Sequence, residues 1–350
     1  MHLAGVLLLA FVIGIQGNPI SFNEDDINNK ESMLFPDGDG KLHLIHLRAN
    51  PNEYEPLIKF DPNKHVHFQL YTRKNPKKPQ LLVPKDLSTV KKSNFDPAKH
   101  TFFISHGWKN KLSSPVNELI RKAYLDTEDV NVIVVDWEYG ASYNYLAARG
   151  HAATTGKHLG KFISLLKKNF NVSLKNVRLV GHSLGSHVSG FAGKTVKKIT
   201  GNKVAQIVGL DPALPLYSIK DPEGRLSKND AEYVEIIHTN GGKLGFWDPL
   251  GHADFYPNLG YAQPGCGTDI SGSCAHARAY KYFAESIERS QSFRSKLCSS
   301  MEQLSNNKCP QSSNWFLMGG KHYKPVKHGL FYLKTKAEYP FALGDAGVTL

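Results

Sequence analysis

Short runs of β-branched and aromatic residues alternate with helical stretches through the middle of the chain. TFFIS at 101–105, VNVIVV at 130–135, NVRLVG at 176–181 and VAQIVGL at 204–210 are apolar almost throughout. Continuous apolar runs of this kind suit strands covered on both faces, the mark of a parallel sheet between helical layers. Between the runs lie PVNELIRKAYL, YNYLAARGHAATTGKHLGKFISLLKK and LGSHVSGFAGKTVKKI. Strand, helix, strand in regular turn predicts a doubly wound α/β domain with a mostly parallel central sheet. Toward the end the pattern loosens into YVEIIHT, a long Gly- and Pro-rich stretch, a helix near ARAYKYFAESIERS and a last strand, GLFYLKT.

The beginning of the chain differs. Residues 1–17 hold an apolar stretch from Leu3 to Ile15, followed by Asn18-Pro19. The stretch is shorter than the roughly 20 residues a membrane-spanning helix needs, and reads as a secretory signal peptide. Residues 18–60 are polar and mixed, and are expected to form a loosely structured N-terminal extension. A single domain is expected over 61–345.

At 41% hydrophobic and 21% charged residues the chain has material for a sizeable core. Its formal net charge is +12. Such a surface attracts nucleic acid or anionic membranes. With no aromatic–basic nucleic-acid motif and an export signal, peripheral contact with a membrane surface is expected and nucleic acid is not. The four cysteines all lie between 266 and 309. Export favours disulfides, and of the three possible pairings Cys266–Cys274 with Cys298–Cys309 requires least of the fold. Zinc is disfavoured because no C-x-x-C pair is present. Asn171-Val-Ser173 is a glycosylation sequon.

Gly181-His182-Ser183-Leu184-Gly185 is a G-x-S-x-G, set between an apolar run and a helix rich in small residues. That is the strand–turn–helix context of a nucleophile elbow, which makes Ser183 a candidate nucleophile. A serine needs a base, and the base needs a carboxylate to fix its tautomer. Asp211, at the end of VAQIVGLDP, stands where a strand would deliver an acid near the elbow, whereas Asp221, Asp230, Asp248, Asp254 and Asp269 lie in polar or loop contexts. For the base, His238, His252, His276, His322 and His328 all lie downstream. His276, anchored between a cysteine and a helix, is only weakly favoured among them. The residue after the nucleophile, Leu184, should supply one oxyanion donor, and the loop His106-Gly107-Trp108 the other.

Taken together, FQLYTRKNP, FFISHGWKN, VIVVDWEYGASYNYLAA, VRLVGHSLGSHVSGFAGK, IVGLDPALP, EYVEIIHTNGG and CAHARAYKYFAESI resemble the pancreatic-lipase-like secreted lipases of animals. The resemblance implies an α/β-hydrolase fold, with Ser183 as nucleophile, Asp211 as triad acid, His276 as base, and Trp108 and Leu184 at the oxyanion positions. It makes 61–345 a lipase catalytic domain, without the C-terminal β-sandwich of the digestive enzymes.

Two departures bear on substrate and metal. In the stretch that holds calcium in some relatives, KDPEGRLSKNDAEY, Ser227 stands where an acidic ligand is expected, so no metal and no cofactor is expected. The family's lid, between two bonded cysteines, is here only GTDISGS, too short for an amphipathic helix. Relatives with short loops are mostly phospholipases A1, insect enzymes among them. The expectation is a secreted, extracellular, monomeric serine carboxylester hydrolase acting on phospholipid or acylglycerol, most of all the sn-1 ester of phospholipids. The alternatives are a neutral triacylglycerol lipase and, from another class, a catalytically inactive lipid-binding or yolk-type protein.

Overall fold

The computed structural model describes residues 25, 27, 29–48, 60–310, 314–321 and 328–348. The expected signal peptide, 1–17, and His322 lie outside the described residues. Strands β1 (Ser32–Pro36) and β2 (Leu42–His46) pair with each other as an antiparallel hairpin. The other strands are β3 (His67–Tyr71), β4 (Gln80–Leu82), β5 (Thr101–Ser105), β6 (Asn131–Asp136), β7 (Val177–His182) and β8 (Val204–Leu210). They continue with β9 (Ala231–Ile237), β10 (Ala253–Pro257), β11 (Arg294–Cys298), β12 (Phe316–Leu317) and β13 (Gly329–Leu333). All eleven join in one sheet, ordered β12-β11-β13-β10-β9-β8-β7-β5-β6-β3-β4. From β6 to β13 every neighbouring pair is parallel, and the antiparallel pairings lie at the two edges.

The continuous apolar runs are explained by what covers them. Helices α1 (Pro115–Thr127), α2 (Tyr145–Phe170), α3 (Leu184–Thr200) and α4 (Ser273–Glu288) pack on the sheet. Successive strand residues face opposite sides. Phe103, Ile133 and Val135 join a core with Phe162 of α2 and Val188 of α3, while Phe102, Val132 and Val134 join one with Tyr124 of α1 and Phe283 of α4. Each such side chain, fully buried, contributes about 1.5–3 kcal/mol of transfer free energy. A strand with only one apolar face could not serve both layers.

Strand order reverses at β5, with β6 on one side of it and β7 on the other. In open α/β sheets the crevice at the C-terminal ends of the strands flanking such a reversal is where ligands bind. Here those ends carry His106 and Ser183.

The segment read from sequence as a loosely structured extension contains the β1–β2 hairpin, and the reason is local. Asp37 Oδ1 accepts the N–H groups of Asp39 and Lys41 at 3.0 and 2.9 Å, which closes the turn PDGDGK. Phe35, Ile45 and Leu47 then point into the same core as Trp108 and Tyr145. Cys266 bonds to Cys274 and Cys298 to Cys309, the local pairing. Among the described residues no helix is long and apolar enough to cross a membrane.

Candidate active site

β7 ends at His182 and α3 begins at Leu184, so Ser183 makes the turn between them. Its backbone sits at φ 56° and ψ −125°, which costs about 1–3 kcal/mol for a residue bearing a side chain. The surroundings hold it there. A Cβ on Gly181 would lie 2.1 Å from Gly185 O, and one on Gly185 would lie 2.0 Å from Ser105 O. Glycine at both positions is thus a packing requirement. The Ser183 N–H also donates to Leu210 O at 3.0 Å, tying the elbow to the end of β8.

Asp211 follows directly on that strand end and is fully buried. The N–H groups of Thr239 and Asn240 donate to Oδ1 at 2.8 and 3.0 Å. The other oxygen, Oδ2, lies 2.6 Å from His276 Nδ1. His276 stands in the first turn of α4, where its N–H donates to Gly272 O at 2.9 Å. Asp269 caps that turn, accepting the Ala275 N–H at 2.8 Å. With the Nδ1 proton shared toward Asp211, Nε2 is the free lone pair. His276 Nε2 and Ser183 Oγ are both buried, and among the described residues neither has a hydrogen-bond partner. Buried polar atoms without partners call for an explanation. Both residues line one cavity of about 520 Å³.

The loop after β5 closes the site from the other side. A Cβ on Gly107 would lie 2.9 Å from Ser183 Cβ, so only a bare backbone fits against Ser183. His106 is no surface residue. It is fully buried, its Nδ1–H donates to Gly107 O at 3.1 Å, and its Nε2 accepts the Trp137 N–H at 3.3 Å. Trp108 lines the cavity and its indole N–H donates to Tyr143 O at 2.8 Å, while Leu184 is buried at the start of α3.

His182 is a contributor the sequence reading passed over. Its Nε2–H donates to His276 O at 3.1 Å, and the two rings lie 4.4 Å apart. Burial, and next the charge of His276, push its pKa well below 6.5. It therefore stays neutral beside His276 and braces that residue's backbone. A residue at the first variable position of G-x-S-x-G carries no spacing signal, so sequence could not have singled it out.

The other described histidines downstream of Ser183 that sequence offered as the base have other neighbours. His238 has Nδ1 at 2.7 Å from Phe246 O and Nε2 at 2.9 Å from Asp254 Oδ1. His252 Nδ1 accepts the Val234 N–H at 2.9 Å, and the His328 ring lies 4.8 Å from that of His252. Of the other acids, Asp230 is buried and pairs with Lys194. Lys194 Nζ donates to Pro222 O at 3.0 Å, to Ser227 Oγ at 3.4 Å and to Asp230 Oδ1 at 2.5 Å. An ammonium thus gathers the oxygens of the segment where the family resemblance leaves room for calcium. Cys266, Asp269 and Cys274 also cluster, but both sulfurs are spent in the disulfide. Asn171 is exposed just past the end of α2, in the left-handed conformation at φ 55°.

A serine on a strained strand–helix turn, a buried Asp–His pair and a glycine-bearing loop against the serine form the arrangement expected of a serine-type α/β-hydrolase. The family model described as Lipase matches residues 48–341. "Phospholipase A1 2" of Vespa affinis is 35% identical over 321 residues, covering 86% of this chain and 93% of the wasp protein. "Inactive pancreatic lipase-related protein 1" of Canis lupus familiaris is 36% identical over 266 residues, covering 70% of this chain and 56% of the dog protein. "Pancreatic triacylglycerol lipase" of Myocastor coypus is 35% identical over 266 residues, covering 70% and 57%. The chain spans little more than half the length of these two mammalian relatives. It belongs to the lipase family, and so to the carboxylic ester hydrolases of the α/β-hydrolase fold.

Proposed function

We propose that this protein is a secreted phospholipase A1 that cleaves the sn-1 acyl ester of phospholipids through an acyl-Ser183 intermediate. His276 Nε2 takes the Ser183 proton as Oγ attacks the ester carbonyl. The developing oxyanion is met by the backbone N–H groups of Leu184 and Trp108. His276 then delivers its proton to the departing glycerol oxygen, and the lysophospholipid leaves. Water, deprotonated by the same nitrogen, attacks the acyl-enzyme and releases the fatty acid. Asp211 holds the Nδ1 proton and stabilises the imidazolium in both halves.

The observation that carries the substrate assignment is the loop between Cys266 and Cys274. Residues 267–272 hold neither helix nor strand, and the next helix, α4, begins at Ser273, the last residue of GTDISGS. A pocket without an amphipathic lid helix accepts a polar head group at its mouth. The wasp relative, named a phospholipase A1 and matched nearly end to end, supports the same reading. Secretion is supported by the apolar stretch at 1–17 and by two disulfides, and contact with lipid surfaces by the net charge of +12.

Hydrolysis of phosphatidylcholine labelled at sn-1 or sn-2, run beside triolein, tests the proposal. Release of the sn-1 fatty acid with little triolein turnover is expected. Dominant triolein turnover would replace it with a triacylglycerol lipase. Relatives named inactive are among those matched, so a fluorophosphonate probe supplies the second test: a lipid carrier without a working triad would not be labelled at Ser183.

A further inference from the structure

The hairpin β1–β2 has one face in the core and one in solvent. Phe35 and Ile45 are 2% and 3% exposed, whereas Leu34, Leu42 and Leu44 on the outer face are 49%, 41% and 58% exposed. Leu34 and Leu44 stand directly opposite each other across the two strands. Strand residues alternate faces, so this is one contiguous apolar strip. Three of the ten exposed large apolar side chains among the described residues fall on this single hairpin.

The hairpin is firmly seated. Phe35 packs edge-on against Trp108 with ring centroids 5.5 Å apart, and lies 5.0 Å from the Tyr145 ring. The Gly38 N–H donates to Lys109 O at 3.3 Å, and a Cβ on Gly38 would meet the Asn110 side chain at 2.7 Å. Its turn, Asp37 to Gly40, lines the same cavity as Ser183 and His276. Beside it runs the short Cys266–Cys274 loop, whose Asp269 and Ser273 also line the cavity and whose Ile270 is 85% exposed. The hairpin that carries the leucine strip and the loop that carries Ile270 therefore both border the cavity. Charges of both signs accompany them, with Lys41 and Arg48 exposed at the hairpin, and Lys281 lining the cavity together with Asp37, Asp39 and Asp269.

We propose that the outer face of the β1–β2 hairpin, with Ile270, is the surface by which the protein docks on a phospholipid aggregate, setting the cavity mouth against the lipid. The inference rests on the ester-hydrolase reading of the Ser183 site and names the surface that brings substrate to it. Continuity with the mouth decides the occupant. A lipid surface meeting this face supplies substrate to the cavity, whereas a second copy of the chain seated here would cover it. A short lid then has a physical counterpart, because the apolar contact that a lid helix would offer is offered by the N-terminal hairpin.

The test uses the full chain with Leu34→Ser/Leu44→Ser and, separately, Ile270→Ser, each also in a Ser183→Ala background for binding. Probes are vesicles of phosphatidylcholine with phosphatidylglycerol, and p-nitrophenyl butyrate as a water-soluble ester. The double variant is expected to lose vesicle partitioning about tenfold or more, with vesicle hydrolysis falling in parallel and soluble-ester turnover staying within about twofold. Ile270→Ser should show the same pattern, more weakly. Wild-type vesicle binding by the double variant would overturn the proposal. So would a wild-type dimer that the double variant converts to monomer with vesicle binding unchanged. Absence of soluble-ester turnover in the wild type would instead defeat the triad reading, while partitioning of the Ser183→Ala protein still reports on the surface.

Discussion

Asp211→Asn is the most informative single change at the site, because the structure dictates which way the new amide must point. Oδ1 of Asp211 receives two backbone N–H groups, from Thr239 and Asn240. Only an oxygen can take that place, so the amide NH2 is left facing His276 Nδ1, where a carboxylate oxygen now sits at 2.6 Å. The NH2 can only donate, so Nδ1 must accept and the ring proton moves to Nε2. A protonated Nε2 cannot take the proton of Ser183. The geometry stays intact while the tautomer becomes wrong, a change worth about 10⁴ in turnover, or about 5 kcal/mol of transition-state stabilisation. Turnover of p-nitrophenyl butyrate and the rate of fluorophosphonate labelling should fall together, with the melting temperature little moved because the hydrogen bonds remain satisfied. A variant within tenfold of wild type on the soluble ester would refute the roles given to Asp211 and His276.

Other outcomes follow from the same structure. Ser183→Ala should cost on the order of 10⁶ in turnover and abolish fluorophosphonate labelling; a tenth of the wild-type rate would refute the nucleophile assignment. Lys194→Ala strands the buried carboxylate of Asp230, and loss of one partner of such a pair costs about 3–5 kcal/mol, measurable by urea unfolding; an unchanged midpoint would show that the pair is not needed. Burial raises the Glu235 pKa from 4.5 to about 7, so between those values the unfolded chain ionises while the folded one holds its proton. Stability should therefore fall as pH rises through that window and level off above it. In Glu235→Gln this fall should be smaller, and equal slopes in the two proteins would contradict it.

The parts of the site that sequence made legible are those whose chemistry is set by neighbours in the chain. The elbow around Ser183 is such a part, because its turn, its flanking glycines and the strand and helix on either side are one continuous segment. Asp211 was legible as an acid at a strand end. His276 was not separable by its residues alone from His238, itself buried and paired with a carboxylate, Asp254. The hairpin was passed over although its signals were present, an Asp-Gly turn between LFP and LHLIHL. A mixed polar segment offers no local reason to be buried, and its inner face is stable only because Trp108 and Tyr145 wait for it.

Sequence by itself determined the class of sheet, since apolar runs such as VNVIVV need cover on both faces, and it determined the strained turn at Ser183, which is written in Gly181 and Gly185. Tertiary structure decided the rest. It chose His276 by bringing Nδ1 to Asp211 across a sequence separation of 65 residues. It put His182 behind it as a neutral brace, and it laid the N-terminal hairpin along the mouth of the cavity. Periodicity fixes which face of an element is apolar, but not which distant surface that face will meet. Contacts across a fold arise when separate elements pack, and no local pattern along the chain encodes them.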